Sequence, residues 1–183
     1  EVTTSYNIGR LLNTSDKDTL HLAIFGDSQR FYDDVEDVVN AINSLPELDA
    51  VIITGDLTDF GVAWEFNHVN KMFMKLKVPF ITVIGNHDHL GNGLQLYEDI
   101  YGPQNYAFTW NGIRFIVHNT NSREFNFDGT VPDLGWMRQQ LADSSAYSSC
   151  FFVSHVQPDH EDFDASLAAE YMNLLSTSKF TIL

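Results

Sequence analysis

Cysteine is almost missing from this 183-residue chain. Cys150 stands alone, so no internal disulfide can form, and its apolar setting predicts a buried structural thiol. Basic residues are also scarce, 10 Lys and Arg against 25 Asp and Glu, for a formal net charge of −15. Such an excess repels nucleic acid and anionic membrane surfaces, so neither is expected as a partner. No apolar run approaches the roughly 18 residues that a bilayer-spanning helix needs. Low-complexity tracts and fixed-period repeats are absent too. An initiator Met is lacking, because the first residue is Glu1. That start is expected after removal of a signal peptide or from the choice of first residue, which leaves export open.

What remains is the composition of one globular domain over residues 1–183, with 44% hydrophobic residues, enough for a sizeable core. Five apolar runs have strand character: LHLAIF (20–25), AVIIT (50–54), FITVI (80–84), CFFVS (150–154) and KFTIL (179–183). Between the first two, Val35, Val38, Val39, Ile42 and Leu45 form a helical stripe. Between the second and third, Phe66, Val69, Phe73 and Leu76 repeat at helical spacing. LGWMRQQL (134–141) and ASLAAEYMNLL (165–175) predict two more helices. Strands alternating with helices predict an α/β fold with a mainly parallel sheet. NYAFTW and IRFIVH flank Asn111-Gly112, a strong hairpin signal. An antiparallel pair within such a chain predicts a second sheet on the first, a layered α/β/β/α sandwich.

The chemistry sits where the strands end. The first run stops at Gly26-Asp27-Ser28-Gln29, the second at Gly55-Asp56-Leu57-Thr58-Asp59, the third at Gly85-Asn86-His87-Asp88 and the fourth at His155. Ligands of open α/β sheets bind outside the carboxyl ends of the strands. A lone Gly-Asp is ordinary turn chemistry. Four strand ends that each deliver an oxygen or nitrogen donor point instead to a metal centre.

These motifs, in this order, resemble the calcineurin-like metallophosphoesterase superfamily over residues 20–183, most specifically in GDLTD (55–59) and GNHD (85–88). The resemblance implies a hydrolase of phosphoester or phosphoanhydride bonds, with a hydroxide generated by two divalent or trivalent metal ions. It implies Asp56 as the carboxylate shared by both ions, Asp27 on the first, and Asn86 and His155 on the second. His87 would face the leaving group, oriented by Asp59, and Asn86 would also touch substrate. A mixed oxygen and nitrogen donor set admits Mn, Fe, Zn, Co or Mg. The substrate would be a small phosphate ester or nucleotide-type compound.

Two features depart from the family pattern. Gln29 stands where the first motif usually has His. As an amide oxygen donor it would be a weaker ligand of the first metal and favours Mn²⁺ or Mg²⁺ over Zn²⁺, with Mn favoured overall. The family's closing Gly-His-x-His is absent from the sequence. The chain is therefore expected to be cut short at its C-terminus, with weak metal binding, weak activity and self-association through the exposed strand KFTIL. Crowding of Asp27, Asp56, Asp59 and Asp88 is expected to raise carboxylate pKa values. The alternative is a catalytically impaired member of the fold acting as a binding or scaffolding module.

Arg30 and Arg123 are the candidate phosphate contacts, since guanidinium matches phosphate geometry. Asn119 and Asn121 share the loop of Arg123, where substrate selection could occur. His89 could line the site. His21 and His118 read as structural, and His68 as a solvated helix residue.

Overall fold

A computed structural model of the chain describes residues 2–178 and the backbone of 181–182. It contains two compact units, Glu1–Pro103 and Gln104–Leu183. Among the described residues, no helix is long and apolar enough to cross a membrane.

The first unit opens with helix α1 (Thr4–Leu12), which the sequence reading missed. Thr3 caps it by accepting the Tyr6 N–H at 3.4 Å. Its Asn7 is buried, donates from Nδ2 to the Thr3 carbonyl and accepts the Phe80 N–H at 3.2 Å. A polar helix residue thus satisfies a backbone donor of the neighbouring sheet.

Strand β1 (Leu22–Phe25), helix α2 (Tyr32–Asn43), strand β2 (Ala50–Ile53), helix α3 (Ala63–Phe73) and strand β3 (Phe80–Thr82) follow in alternation. The three strands form a parallel sheet in the order β1-β2-β3, with Leu22 opposite Ala50 and Val51 opposite Phe80. All four residues of central β2 are buried, whereas Ile24 on the edge strand β1 is 53% exposed. Helix α2 buries Val35, Val39 and Ile42. Val38, at the margin of that stripe, is 37% exposed, and Leu45 lies beyond the helix end and faces solvent. On α3, Phe66, Val69 and Phe73 are fully buried in the core of this unit. Each is worth about 1.5–3 kcal/mol relative to exposure. Helix α4 (Gly93–Ile100), also unforeseen, completes the unit.

The second unit begins with the expected hairpin. Strands β4 (Tyr106–Trp110) and β5 (Ile113–Val117) pair antiparallel, with Trp110 opposite Ile113. Asn111 and Gly112 have φ of 51° and 74°, the signature of a type I′ turn. Helix α5 (Leu134–Leu141) leads to β6 (Ser149–Val153), and helix α6 (Ala165–Thr177) to β7 (Thr181–Ile182). The mixed sheet has the order β4-β5-β6-β7, and β6 is parallel to both neighbours.

Sheet membership corrects the sequence reading. Only three of the five apolar runs share the parallel sheet; CFFVS and part of KFTIL join the hairpin instead. A parallel crossover through a helix serves either sheet equally. The choice falls to cross-strand packing, seen in the stacked rings of Phe108, Phe115 and Phe151, with centroids 4.9 and 5.4 Å apart. Cys150 is fully buried in β6. Of KFTIL, residues 179, 180 and 183 lie outside the described residues, and with them most of the segment proposed for self-association.

Candidate active site

Because β1, β2 and β3 run parallel and in register, the segments after Phe25, Ile53 and Thr82 leave the sheet along one edge. Backbone bonds continue the ladder into these loops: Thr54 N–H to the Phe25 carbonyl at 2.8 Å, Asp27 N–H to Gly55 at 3.0 Å and Gln29 N–H to Asp56 at 3.1 Å. Asp27, Arg30 and Asp56 take φ of 54°, 66° and 53°. For a side chain other than Gly, Asn or Asp that region costs about 1–2 kcal/mol, so Arg30 is the strained member. The turns bring a carboxylate oxygen of Asp27 and one of Asp56 within 4.8 Å of each other. Gly85 makes the approach of the third loop possible. A Cβ there would sit 2.1 Å from the Asp56 nitrogen and 2.2 Å from its Oδ1.

Buried Asp56 is fixed from two sides. Its Oδ1 accepts the His87 N–H at 3.0 Å, and its Oδ2 accepts the Gln29 Nε2 at 2.9 Å. Gln29 therefore points a donor at Asp56, which leaves its own Oε1 buried with no hydrogen-bond partner. A buried amide oxygen without a partner costs about 1–3 kcal/mol. The two converging carboxylates are hard oxygen donors that fit a cation of the Mn²⁺ or Mg²⁺ type. For Gln29 itself to be a ligand beside Asp56 Oδ2, its amide must turn over, because Nε2 now faces that oxygen.

His87 follows Asn86 in a short 3₁₀ turn, His87–His89. Its Nδ1 lies 2.8 Å from the main-chain carbonyl of Asp59. A carbonyl only accepts, so Nδ1 carries the proton and Nε2 is the nitrogen turned outward. Asp59 thus orients His87 through its backbone and not through its carboxylate. That carboxylate is taken by Arg30, whose Nε lies 3.0 Å from Oδ1 and whose N–H lies 3.0 Å from Oδ2, and by the Tyr32 hydroxyl at 3.0 Å. Burial, then the bond to Asp59 and the charge of Glu65, push the Tyr32 hydroxyl well above its usual range, so it stays a donor. His68 is exposed, as expected, with its ring edge-on to Tyr32.

Three residues support the site in ways that the local sequence does not show. Asp88 is fully buried and accepts four bonds: from Gly85 N–H at 3.0 Å, Leu57 N–H at 3.2 Å, Thr58 N–H at 2.9 Å and Thr58 Oγ1 at 2.8 Å. Burial nevertheless lifts its pKa to about 6, with repulsion from Asp56 only a minor contribution. Crowding of carboxylates is therefore the lesser cause here. Buried Glu65 accepts the Phe60 N–H at 2.9 Å and the Val62 N–H at 3.3 Å, holding the loop just after Asp59. Tyr32 is the third. The Tyr32–Asp59 bond and those of Asp88 to Leu57 and Thr58 join positions 27 to 31 apart; Glu65 instead hides in a local helix-start pattern. His89 binds the Gly85 carbonyl through Nδ1 at 2.8 Å and so fastens its own loop.

In the second unit, His155 follows the carboxyl end of β6, half-buried. Arg123 donates its N–H to the Asp162 carbonyl, and its guanidinium lies 2.8 Å from the Asp162 carboxylate and 3.7 Å from that of Glu161. It acts as a clamp on residues 161–162. Asn119 and Asn121 are buried and bonded to each other, Nδ2 of Asn121 to Oδ1 of Asn119 at 2.7 Å. These loop residues serve the loop's own structure.

The family model for calcineurin-like phosphoesterases matches residues 20–175, and the chain belongs to that family. A probable glycerophosphodiester phosphodiesterase GpdQ of Arcobacter nitrofigilis is 41% identical over 129 residues, 62% of this chain and 44% of that protein. The glycerophosphodiester phosphodiesterase GpdQ of Enterobacter lignolyticus is 27% identical over 131 residues, 65% of this chain and 46% of its own length. A probable cyclic nucleotide phosphodiesterase of Fibrobacter succinogenes is 27% identical over 131 residues, covering 66% and 49%. The chain spans about half the length of these curated relatives. Among solved structures, purple acid phosphatase PPD1 from yellow lupin seeds superposes with a TM-score of 0.56 at 15% identity, over 77% of this chain and 31% of the phosphatase. That likeness concerns the fold alone.

Proposed function

We propose that the chain hydrolyses phosphodiester or phosphoanhydride bonds of a small phosphate compound with the help of two metal ions, Mn²⁺ favoured. Membership of the family and the phosphodiesterases among its relatives support the reaction class. One observation carries the reading: carboxylate oxygens of Asp27 and Asp56 converge at the strand ends, where Gln29 bonds Asp56. Two bound ions would supply a water of lowered pKa and offset the charge of the phosphoryl group. By position in the family pattern, Asp27, Asp56 and Gln29 would hold one ion, and Asp56, Asn86 and His155 the other.

The chain's own groups have distinct tasks in this reading. Each carboxylate oxygen of Asp56 is held by a donor, Oδ1 by His87 N–H and Oδ2 by Gln29 Nε2. His87, locked by the Asp59 carbonyl, presents Nε2; as imidazolium it gives a proton to the departing oxygen, and as neutral imidazole it takes one from water. Arg30 can pair with an anionic oxygen of the substrate. Asn86, beside His87, is the second substrate contact. Arg123, already engaged by Asp162 and Glu161, is given no substrate role.

The test uses the full-length protein, stripped of metal by a chelator and assayed with bis(p-nitrophenyl) phosphate at neutral pH. Turnover that vanishes without metal and returns with Mn²⁺ is expected. Turnover indifferent to the chelator, or none with any added divalent ion, would overturn the proposal.

A further inference from the structure

We infer that the apolar side chains of Phe31, Phe60, Trp64 and Leu90 form a rim on the first unit that docks the protein on a zwitterionic lipid surface. The inference stands whether or not the neighbouring site hydrolyses phosphodiesters. The first ground is placement. Phe60 follows Asp59, and Phe31 follows Arg30, whose N–H and Nε are bonded to that same Asp59. Leu90 gives its N–H to the carbonyl of His87, whose ring Asp59 holds in turn. Gly61, at φ 63°, lies so close to Leu90 that a Cβ would sit 2.2 Å from the Leu90 carbonyl oxygen. Trp64 stands in the first turn of α3, next to Glu65, which accepts the Phe60 N–H at 2.9 Å. Four apolar residues thus gather around one aspartate at the carboxyl edge of the parallel sheet.

The second ground is exposure. Phe31, Phe60 and Trp64 are 60%, 59% and 64% exposed, and no other Phe or Trp among the described residues is more than half exposed. Leu90 is 37% exposed. Rings that open stand out from the surface, whereas a site for a small ligand is concave and encloses it. At roughly 200 Å² per aromatic side chain, the uncovered area is on the order of 400 Å². A stable protein partner covers about twice that, near 800 Å². Protruding side chains on a small patch suit a soft partner, into which each ring sinks separately.

The third ground is charge. In a chain of net charge −15, no Asp, Glu, Lys or Arg occurs from His89 to Tyr97, and Glu65 is the only one from Phe60 to Asn70. Glu65 is itself buried. The rim is therefore neutral where the chain as a whole is acidic. Beside Phe31 both signs are exposed, Arg30 with Asp33 and Asp34. Anionic lipids attract basic clusters and repel so acidic a chain. A zwitterionic headgroup layer carries no net charge and leaves the apolar contact to decide. Trp settles in that layer, its ring in the apolar region and its N–H towards water, and Phe and Leu sink beneath it.

The test uses the full-length protein and phosphatidylcholine vesicles at physiological ionic strength. Sedimentation with the vesicles is one readout; the other is Trp64 emission, taken as the difference between wild type and Trp64→Phe. Wild type is expected to sediment with the vesicles, and its Trp64 emission to shift to shorter wavelength. The double variant Phe60→Ser with Trp64→Ser, its folding checked by circular dichroism, should lose about tenfold or more in partitioning. Trp64→Phe, which keeps an apolar ring, should stay within about threefold of wild type. Adding phosphatidylglycerol to the vesicles should weaken binding. Wild type that stays in solution, that binds only when anionic lipid is present, or that binds no better than the double variant would overturn the inference. Three results without lipid would overturn it by giving the rim another occupant. Trp64 shielded from acrylamide quenching would assign it to another segment of the full-length chain. A dimer that the double variant dissolves would assign it to a second copy, and saturable quenching of Trp64 by AMP to a nucleobase.

Discussion

Asp88 and Thr58 are bonded twice, through the Thr58 N–H at 2.9 Å and its hydroxyl at 2.8 Å, both to the same carboxylate oxygen. The other oxygen takes the N–H groups of Leu57 and Gly85. One buried side chain thereby ties the loop of Asp56 to the loop of Asn86 and His87. Positions of the proposed ligands depend on this knot although Asp88 itself faces no solvent.

Asp88→Asn is therefore expected to destabilise the protein by about 1–3 kcal/mol, because one amide face turns an NH₂ towards two N–H donors. The pH dependence has a definite sign. With its pKa raised from the usual 3.8 to about 6, Asp88 contributes stability that is fully present below about pH 4 and lost as pH rises through about 6. Urea unfolding of metal-free protein across that window should show a falling component in wild type that the variant lacks. Parallel curves for both proteins would contradict the assignment.

His118 should behave in the opposite way. It is fully buried in the second unit, with its Nε2 2.9 Å from the Tyr171 hydroxyl. Burial lowers its pKa from 6.5 to about 4 and raises that of Tyr171 to about 12. Tyr171 therefore donates and His118 accepts as a neutral ring. Its stabilisation is complete above about pH 6.5 and is lost as pH falls through about 4. His118→Gln, which keeps an acceptor but does not titrate, should flatten the acid limb of the stability curve. An unaltered acid limb would place the pH sensitivity elsewhere.

Gln29 sets the choice of metal in this account. Gln29→His replaces an amide by imidazole, which should raise the Zn²⁺-to-Mn²⁺ affinity ratio by about tenfold or more. Calorimetric titration of the metal-free forms with each ion measures it. An unchanged ratio would confine Gln29 to its hydrogen bond with Asp56.

The legible part of this molecule was what periodicity and turn chemistry encode. Val35, Val39 and Ile42 on α2, the Asn111-Gly112 hairpin and the strand-end motifs at Asp27, Asp56 and Asn86 all stand where the pattern put them. Helix α1 escaped because two of its three buried residues, Thr4 and Asn7, are polar. Sheet membership escaped because a parallel crossover looks the same whichever sheet receives it. Within the site, the convergence of the first two carboxylates was legible, but the partners of Asp59 were not. A left-handed Arg30 that folds back onto a carboxylate 29 positions away leaves no mark in local sequence. The engagement of Arg123 by Glu161 and Asp162 was hidden for the same reason.

The central claim is that Asp56 anchors the metal-dependent chemistry. Elemental analysis of full-length wild type and Asp56→Asn after equilibration with Mn²⁺, each assayed in parallel for diester turnover, tests it most directly. Wild type should hold two ions per chain, and the variant should lose metal together with turnover by several orders of magnitude, on the order of 10³-fold or more. A variant that keeps its metal content and near-wild-type kcat would contradict the account.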